Sequence, residues 1–245
     1  MRNCRLWSAF NRGKEMKFLP ALLIMFTFLP VARAVVNVEG TRVIIHQGEL
    51  SASLTLSNSE EQPTMVQIWS DNGDPLTPPE KTTTPLIAVP PVFSMKPGEV
   101  RVVQLMLTST GTLSKDKESL FWLNIYQIPP NTAAVSGVRQ VVLPLRLRMK
   151  VFIRPEGVDD PVEQDGNKLR FILQSTQNGE RMLVTNPTPW HMTLTNMSFM
   201  RSGLGGVMVA PASSVNIPVE PGKGTRPFKY ELINDLGTRW VYSVR

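Results

Sequence analysis

Short runs rich in β-branched and other apolar residues, each bounded by Gly, Pro, Asn or Asp, fill the sequence from Val35 to its end. Such runs predict β-strands, because side chains of a strand alternate between two faces and turn residues separate the strands. Apolar residues at helical spacing do not recur over the window of about 11–18 residues that an amphipathic helix needs. The predicted strands are 41–46, 51–58, 64–70, 99–107, 120–128 and 140–155, then 168–174, 181–186, 191–200, 213–220 and 239–244.

The turn signals divide these strands into two groups. Turn residues recur about every 8–12 residues, which is typical of an immunoglobulin-like sandwich. Residues 154–167 combine two prolines, two glycines and five acidic residues, a composition that predicts an exposed connection. The sequence therefore predicts an all-β protein with two immunoglobulin-like β-sandwich domains, at residues 35–156 and 157–245.

The N-terminal segment has the pattern of a secretory signal peptide. Residues 17–34 run from a basic start through an apolar stretch to the small-x-small sequence Ala32-Arg33-Ala34. We expect residues 1–34 to be removed, with 1–15 an upstream extension or Met16 an alternative initiator. The apolar core, 18–29, is shorter than the about 20 residues that a membrane span needs, so no stable membrane insertion is expected.

The leader also accounts for most of the positive charge and for the cysteine. It holds six of the 26 basic residues and one of the 20 acidic residues, which leaves 20 against 19 in the predicted mature chain. That balance argues against nucleic acid as a partner, because phosphate binding needs an excess of Lys and Arg. Cys4 is the single cysteine, so the predicted mature chain depends on its apolar cores rather than on disulfides.

Motifs of catalysis and of metal binding do not occur in the sequence. It has no H-E-x-x-H, G-x-S-x-G or Walker-type loop, and its two histidines, His46 and His191, fall in different predicted domains. The glycine-rich stretch 203–206 lacks the helix and lysine of a phosphate-binding loop and predicts a turn. No catalytic residue, metal or cofactor is expected. The tryptophans predicted to pack in the cores are Trp69, Trp122, Trp190 and Trp240.

The predicted strand 140–155 has an unusual pattern. Every odd position from Val141 to Ile153 is apolar, whereas the even positions include the basic residues Arg146, Arg148, Lys150 and Arg154. Charged residues on an edge strand commonly prevent pairing with other chains. An apolar ladder on an unpaired edge can equally complete an unfinished sheet in a partner. Periodicity alone leaves both interpretations open.

Four motifs resemble those of the PapD-type periplasmic pilus chaperones: KVFIRP at 150–155, ESLFWLNIYQIPP at 118–130, PPVFSMKPGE at 90–99 and LINDLG at 232–237. The resemblance covers nearly all of the predicted mature chain. It implies two immunoglobulin-like domains in an L shape, located in the periplasm and without enzymatic activity. It further implies that the chain binds pilin or fimbrial subunits by donor-strand complementation and delivers them to an outer-membrane usher.

The resemblance also assigns roles to individual residues. Val141, Leu143 and Leu145 would be the side chains lent to the subunit, and Arg42 and Lys150 would bind the carboxylate at its C-terminus. Strict alternation places Lys150 on the face opposite the leucines unless the strand twists or bulges. Pro144 removes a backbone donor from the predicted strand. The residues that would form a structural salt bridge between the domains are Glu118, Arg154 and Asp235.

The segment 131–140 decides which branch of the family the chain resembles. It is short, and the predicted mature chain lacks a cysteine pair, so the chain is more similar to the short-loop branch, which is associated with rod-like pili. The main alternative function is a structural pilin or adhesin of a surface fibre. A pilin would be a single domain, often with a disulfide and an apolar N-terminal extension, and the sequence matches none of these. A secreted hydrolase would need convergent acid and base groups, which the sequence does not provide.

Overall fold

The computed structural model describes residues 36–130, 143–177, 179–200 and 205–245, and these form two β-sandwiches. In the first, one sheet has the order β1-β3-β7-β5 and the other the order β2-β9-β8-β4-β6. All its strand pairs are antiparallel except β2 with β9, which is parallel. Its strands are β1 (Val36–Val38), β2 (Arg42–Ile45), β3 (Ser51–Asn58), β4 (Thr64–Asp71), β5 (Leu86–Val89), β6 (Val92–Met95), β7 (Val100–Leu107), β8 (Ser119–Ile128) and β9 (Leu145–Ile153).

The second sandwich follows the same plan with fewer strands. One sheet has the order β10-β11-β14 and the other the order β13-β12-β15-β16. A 3-10 helix, Glu163–Lys168, precedes it, and another, Pro79–Lys81, lies in the first sandwich. The strands are β10 (Arg170–Thr176), β11 (Gly179–Asn186), β12 (Met192–Thr195), β13 (Val207–Val209), β14 (Ser213–Pro218), β15 (Phe228–Ile233) and β16 (Arg239–Val244). No helix in the described ranges is long and apolar enough to cross a membrane.

Each sandwich encloses its own apolar core, because the strands alternate between buried and outward residues. The first core includes Leu56, Leu105 and Ile125, each with no exposed surface. The second is rich in methionine and aromatic residues, with Phe171, Phe199 and Phe228 in edge-on contacts. The predicted all-β class with two sandwich domains is confirmed. The predicted boundary after residue 156 lies between β9 and β10 and stays a prediction.

The sequence missed some strands and extended others beyond their observed ends. The predicted strand 191–200 ends at Thr195, because Asn196 has a φ of 47°, a left-handed conformation that stops an extended chain. The missed strands β1, β5, β6 and β13 are only three or four residues long. Such short strands show too little alternation to stand out. The sequence also missed the longer strand β15.

The connection 154–167 is partly buried, contrary to the predicted exposed connection. Arg154 is 3% exposed and Val158 is 7% exposed. Gly166 packs under the Tyr242 ring, and its carbonyl oxygen accepts a hydrogen bond of 2.8 Å from the Tyr230 hydroxyl. Most of the acids in this connection do face water, as their composition predicted, but Asp165 is buried, and Asp160 pairs with the buried Arg154.

The tryptophan prediction is correct for only part of the set. Trp190 is buried in the second core, and half-buried Trp240 packs against it. Trp69 and Trp122 are half-buried. Both lie on the outer face of the five-stranded sheet, beside Asn124 and Lys150, their partners in the strand register. The Trp122 ring can therefore contact the charged side chains of β9 on this outer face.

Candidate functional site

Strand β9 is paired along its whole length on one side but only at its end on the other. Its pairing with β8 runs from Leu145 opposite Gln127 to Ile153 opposite Ser119. On the other side, β2 pairs with its last four residues, starting at Lys150 opposite Arg42. In the part of the chain that the structure describes, no strand pairs with the half from Leu145 to Met149 on that side. This half is therefore an edge whose backbone groups can accept another strand.

Three exposed leucines lie on this half of β9 or just before it. Leu143 is 75% exposed, Leu145 47% and Leu147 38%, whereas Met149 is 5% exposed. Since alternate residues share a face, Leu145, Leu147 and Met149 form one ladder that begins in solvent and enters the core. Val141, also predicted as a lent side chain, lies outside the described residues, as does the short connection 131–140. Leu147 was not among the predicted residues, although the odd-position pattern contained it.

Pro144 lies immediately before β9 and is exposed. The sequence placed it in the middle of a strand spanning 140–155, but the strand begins at Leu145. The missing N–H of Pro144 therefore removes no bond from the ladder between β9 and β8.

Lys150 faces the opposite side of the sheet from the leucines. The pairing of β9 with β8 proceeds residue by residue, without the skipped position that a bulge would produce. Strict alternation therefore holds from Leu145 to Ile153. Arg146, Arg148 and Lys150 share the outer face, so the basic row and the apolar ladder lie on one edge but on opposite faces.

Arg42 and Lys150 form a pair of cations at the point where the free edge ends. They are direct partners in the parallel ladder of β2 and β9. The Nη1 of Arg42 donates a hydrogen bond of 3.1 Å to the carbonyl oxygen of Ile233 in the second sandwich, and its buried Nε has no hydrogen-bond partner among the described residues. The Lys150 Nζ lies 5.5 Å from the centroid of the Trp122 ring.

Neither cation forms an ion pair with a described acid, and the pKa of each side chain is lowered. Burial lowers the pKa of Lys150, and the positive charge of Arg42 lowers it further. Burial also lowers the pKa of Arg42, an effect that the charges of Asp235 and Glu118 oppose. A carboxylate placed between the two would receive charge-assisted hydrogen bonds from both side chains. The geometry is that of an anion site.

Arg148, in contrast, is neutralised within the first sandwich. Its Nε donates to the Asp71 Oδ2 at 3.3 Å, its Nη2 donates to Oδ1, and its guanidinium lies 4.5 Å from the centroid of the Trp122 ring. The Asn124 Nδ2 also donates to the Asp71 Oδ2, at 2.6 Å. Burial alone would raise the pKa of Asp71, but the hydrogen bonds from Arg148, Asn124 and the Gly73 N–H outweigh it and lower the pKa.

The three residues predicted for the salt bridge between the domains lie in direct contact. The Nε of Arg154 donates to the Glu118 Oε1 at 3.2 Å, and its Nη2 donates to the Asp235 Oδ1 at 2.8 Å. Burial alone would lower the pKa of Arg154, but the charges of Asp235 and Glu118 and the hydrogen bonds that Arg154 donates to Asp235 and Asp160 raise it. Glu118 directly precedes β8 and Arg154 directly follows β9, both in the first sandwich. Asp235 follows β15 of the second sandwich. The contact therefore joins the two sandwiches.

Asp160 and both histidines also belong to this network, although the sequence did not place them there. The Nη1 of Arg154 donates to Asp160, whose Oδ1 lies 2.8 Å from the Nδ1 of His46. The backbone N–H of His191 donates to the Glu118 Oε2 at 2.8 Å, and its Nδ1 lies 2.9 Å from the same oxygen. The one feature of the sequence that could have indicated the role of Asp160 is the group of acids that follows the basic strand 140–155. The described residues contain no cluster of three or more acid, His or Cys side chains suited to a metal.

Two family profiles match the chain. Residues 35–159 match the N-terminal domain of PapD, described as a pili and flagellar-assembly chaperone, and residues 166–243 match the C-terminal domain of the pili assembly chaperone PapD. Among similar proteins, the chaperone protein MrkB of Klebsiella pneumoniae is 34% identical over 227 residues, 89% of this chain and 94% of that protein. The chaperone protein FimB/FhaD of Bordetella pertussis is 30% identical over 225 residues, 87% and 89% of the two chains.

Solved structures of chaperones are also similar to this chain. The CupB2 chaperone of Pseudomonas aeruginosa is 29% identical with a TM-score of 0.69, over 84% of this chain and 98% of its own. A chain of the complex of the Salmonella enterica SafA pilin with the SafB chaperone is 25% identical with a TM-score of 0.70, over 87% and 99%. Because the two profiles together cover most of its length, the chain belongs to the PapD family of pilus-assembly chaperones.

Proposed function

We propose that this chain is a periplasmic chaperone that binds and folds pilin or fimbrial subunits and passes them to an outer-membrane usher. The single observation that carries the proposal is the free edge of β9, where exposed leucines end beside two cations that form no ion pair with a described acid. A solvent-exposed edge of this kind is an aggregation hazard unless a partner strand covers it. A similar protein of known structure, SafB, is in complex with a pilin.

In this proposal β9 completes the sheet of a subunit that lacks a strand. The side chains of Val141, Leu143 and Leu145 would enter the core of the subunit, and the backbone of β9 would supply the hydrogen bonds of the missing strand. Burial of each leucine side chain is worth about 1.5–3 kcal/mol relative to full exposure. The leucines already lie about half exposed or more, so they need no rearrangement of the chaperone to make these contacts.

The pair Arg42 and Lys150 would bind the C-terminal carboxylate of the subunit. A bound carboxylate would accept charge-assisted hydrogen bonds from the guanidinium of Arg42 and the ammonium of Lys150, which no described acid pairs with. Because the carboxylate fixes one end of the subunit strand, it would also fix the register of the pairing. That matters, since a slip by one residue turns every side chain to the opposite face.

The network around Arg154 would serve as structural support for this site. Arg42 donates to Ile233 in the second sandwich, so the position of the anchor depends on the junction that Glu118, Arg154 and Asp235 hold together. No cofactor, metal or nucleotide enters the proposed cycle. Folding and assembly of the subunit supply the free energy, and the chaperone undergoes no enzymatic turnover.

The proposal is tested by purifying the tagged chain from the periplasm and identifying attached proteins by mass spectrometry. The wild-type chain should retain a fimbrial subunit, whereas Lys150→Ala and Arg42→Ala should remain folded and lose it. Lys229→Ala, which changes an exposed lysine on β15 of the second sandwich, is the matched control and should retain it. Equal retention of the subunit by all variants would contradict the anchor.

A further inference from the structure

Arg146 is the one member of the basic row on β9 that has no partner for its charge among the described residues and lies outside the proposed anchor. Arg148 pairs with Asp71, and Lys150 lies beside Arg42 at the proposed anchor. Arg146 is exposed and makes no ion pair or side-chain hydrogen bond with another described residue. Its neighbour on β8 is Tyr126, an uncharged residue whose ring packs edge-on against Trp69 with 6.3 Å between the centroids.

On the side away from β8, Arg146 lies at the free edge, where no described strand pairs with it. Cross-strand partners lie about 4.5–5.5 Å apart between Cβ atoms, close enough for their charges to interact. Any strand that pairs with the half of β9 from Leu145 to Met149 therefore places one of its own side chains beside Arg146, on the outer face.

The anchor fixes the direction of that strand. If its carboxyl end lies at Lys150 and its chain covers the edge toward Leu145, it runs parallel to β9, as β2 does farther along the same edge. Lys150 and Arg146 are four positions apart, about 13 Å along a strand. The side chain opposite Arg146 therefore belongs to the residue four positions before the end of the bound strand.

We infer that Arg146 is a specificity-determining residue, which favours subunits with an acidic side chain four residues before their C-terminal residue. The inference rests on the proposed function, because it uses the carboxylate anchor to set direction and register. The contrasting role is protective: the positive charge would only keep the edge from pairing with other chains, whatever residue faces it.

Synthetic peptides and the full-length processed chain test the inference. The probes are nine-residue peptides of alternating Val and Thr with a free carboxyl end and a fluorophore at the other end, carrying Glu, Gln or Lys four residues before the last. Binding is followed by fluorescence anisotropy for the wild type and for Arg146→Glu. The matched control is Arg181→Glu, an exposed arginine on strand β11 of the second sandwich.

We expect the wild type and Arg181→Glu to bind the Glu peptide about 1.5-fold to fivefold more tightly than the Lys peptide, the range for exposed ion pairs. Arg146→Glu should reverse that preference. An unchanged preference in Arg146→Glu would overturn the inference and leave the proposed function intact, provided that converting the peptide carboxylate to a carboxamide still weakens binding. Absence of binding by every peptide would overturn the edge pairing and the role of Arg146 together.

Discussion

Arg42 and Lys150 are direct partners on adjacent parallel strands, so the structure holds two positive charges side by side with no described acid between them. Like charges placed opposite each other destabilise a sheet. Burial lowers the pKa of both side chains, and the positive charge of Arg42 lowers the pKa of Lys150 further. The pair therefore reduces the stability of the free protein, and a bound carboxylate would relieve the repulsion.

The first prediction concerns this loss of stability. A lysine whose pKa is lower in the folded than in the unfolded state reduces stability at neutral pH, and the reduction disappears above the unfolded value of about 10.4. Lys150→Met should therefore raise the free energy of unfolding at pH 7, by about 0.5–1 kcal/mol, while abolishing subunit binding. Urea unfolding checks this. Lys229→Met should leave stability nearly unchanged, and a lower stability of Lys150→Met would contradict the reasoning.

The second prediction separates the apolar ladder from ordinary exposed residues. Leu145→Glu would place a carboxylate in the core of the subunit, at a cost of at least about 2 kcal/mol, or about 30-fold in affinity. Ile172→Glu changes an apolar strand residue that is 56% exposed in the second sandwich and should bind normally. Competition between wild-type and variant chaperones for a purified subunit measures the difference. Equal affinities of the two variants would exclude β9 as the lent strand.

The third prediction concerns the junction of the sandwiches. Arg154→Met removes the cation that Glu118 and Asp235 share and leaves the Glu118 carboxylate buried, which should cost about 3–5 kcal/mol. Arg239→Met breaks an exposed ion pair with Glu231 and should cost less than about 1 kcal/mol. Urea unfolding, followed separately in each sandwich, is the measurement. Similar losses in the two variants would show that the junction contributes little.

The fourth prediction concerns the acid stability of the first sandwich. The folded pKa of Asp71 is lowered, so its contribution is complete above the unfolded value of about 3.9 and is lost as the pH falls through the lower folded value. Asp71→Asn should be clearly less stable than the wild type at pH 7, and the difference should shrink below about pH 4. Thermal unfolding between pH 3 and pH 7 tests this, with Glu39→Gln as an exposed control. A constant difference across that range would contradict the assignment.

The fifth prediction concerns the 3-10 helix before the second sandwich. A Cβ on Gly166 would overlap the ring of Tyr242, so Gly166→Ala should destabilise the protein by about 1–3 kcal/mol. Gly205→Ala adds a methyl group where no atom lies within 4 Å and should change stability by less than about 0.5 kcal/mol. Thermal unfolding of both variants checks the difference. Equal stability would show that the connection is loosely packed.

Most of the longer strands, the two sandwiches and the family were accessible from the sequence, because alternation and turn residues are local properties of the chain. The motif at 150–155 also identified Lys150 as a candidate for carboxylate binding and Arg154 as a candidate for the salt bridge between the domains. The short strands were not accessible, since three or four residues hold too little pattern. Nor was the burial of Arg154 in a segment whose acidic composition predicted exposure.

Sequence alone therefore determined that this chain is an all-β protein with an alternating apolar and basic strand before its connection. Only the tertiary structure decided that the first half of β9 has a free edge, that Lys150 and the leucines occupy opposite faces, and that His46 and His191 join the network of Arg154. The physical reason is separation along the chain. Arg148 meets Asp71 across 77 residues and Arg154 meets Asp235 across 81, and no local pattern specifies such pairs before the sheets have formed.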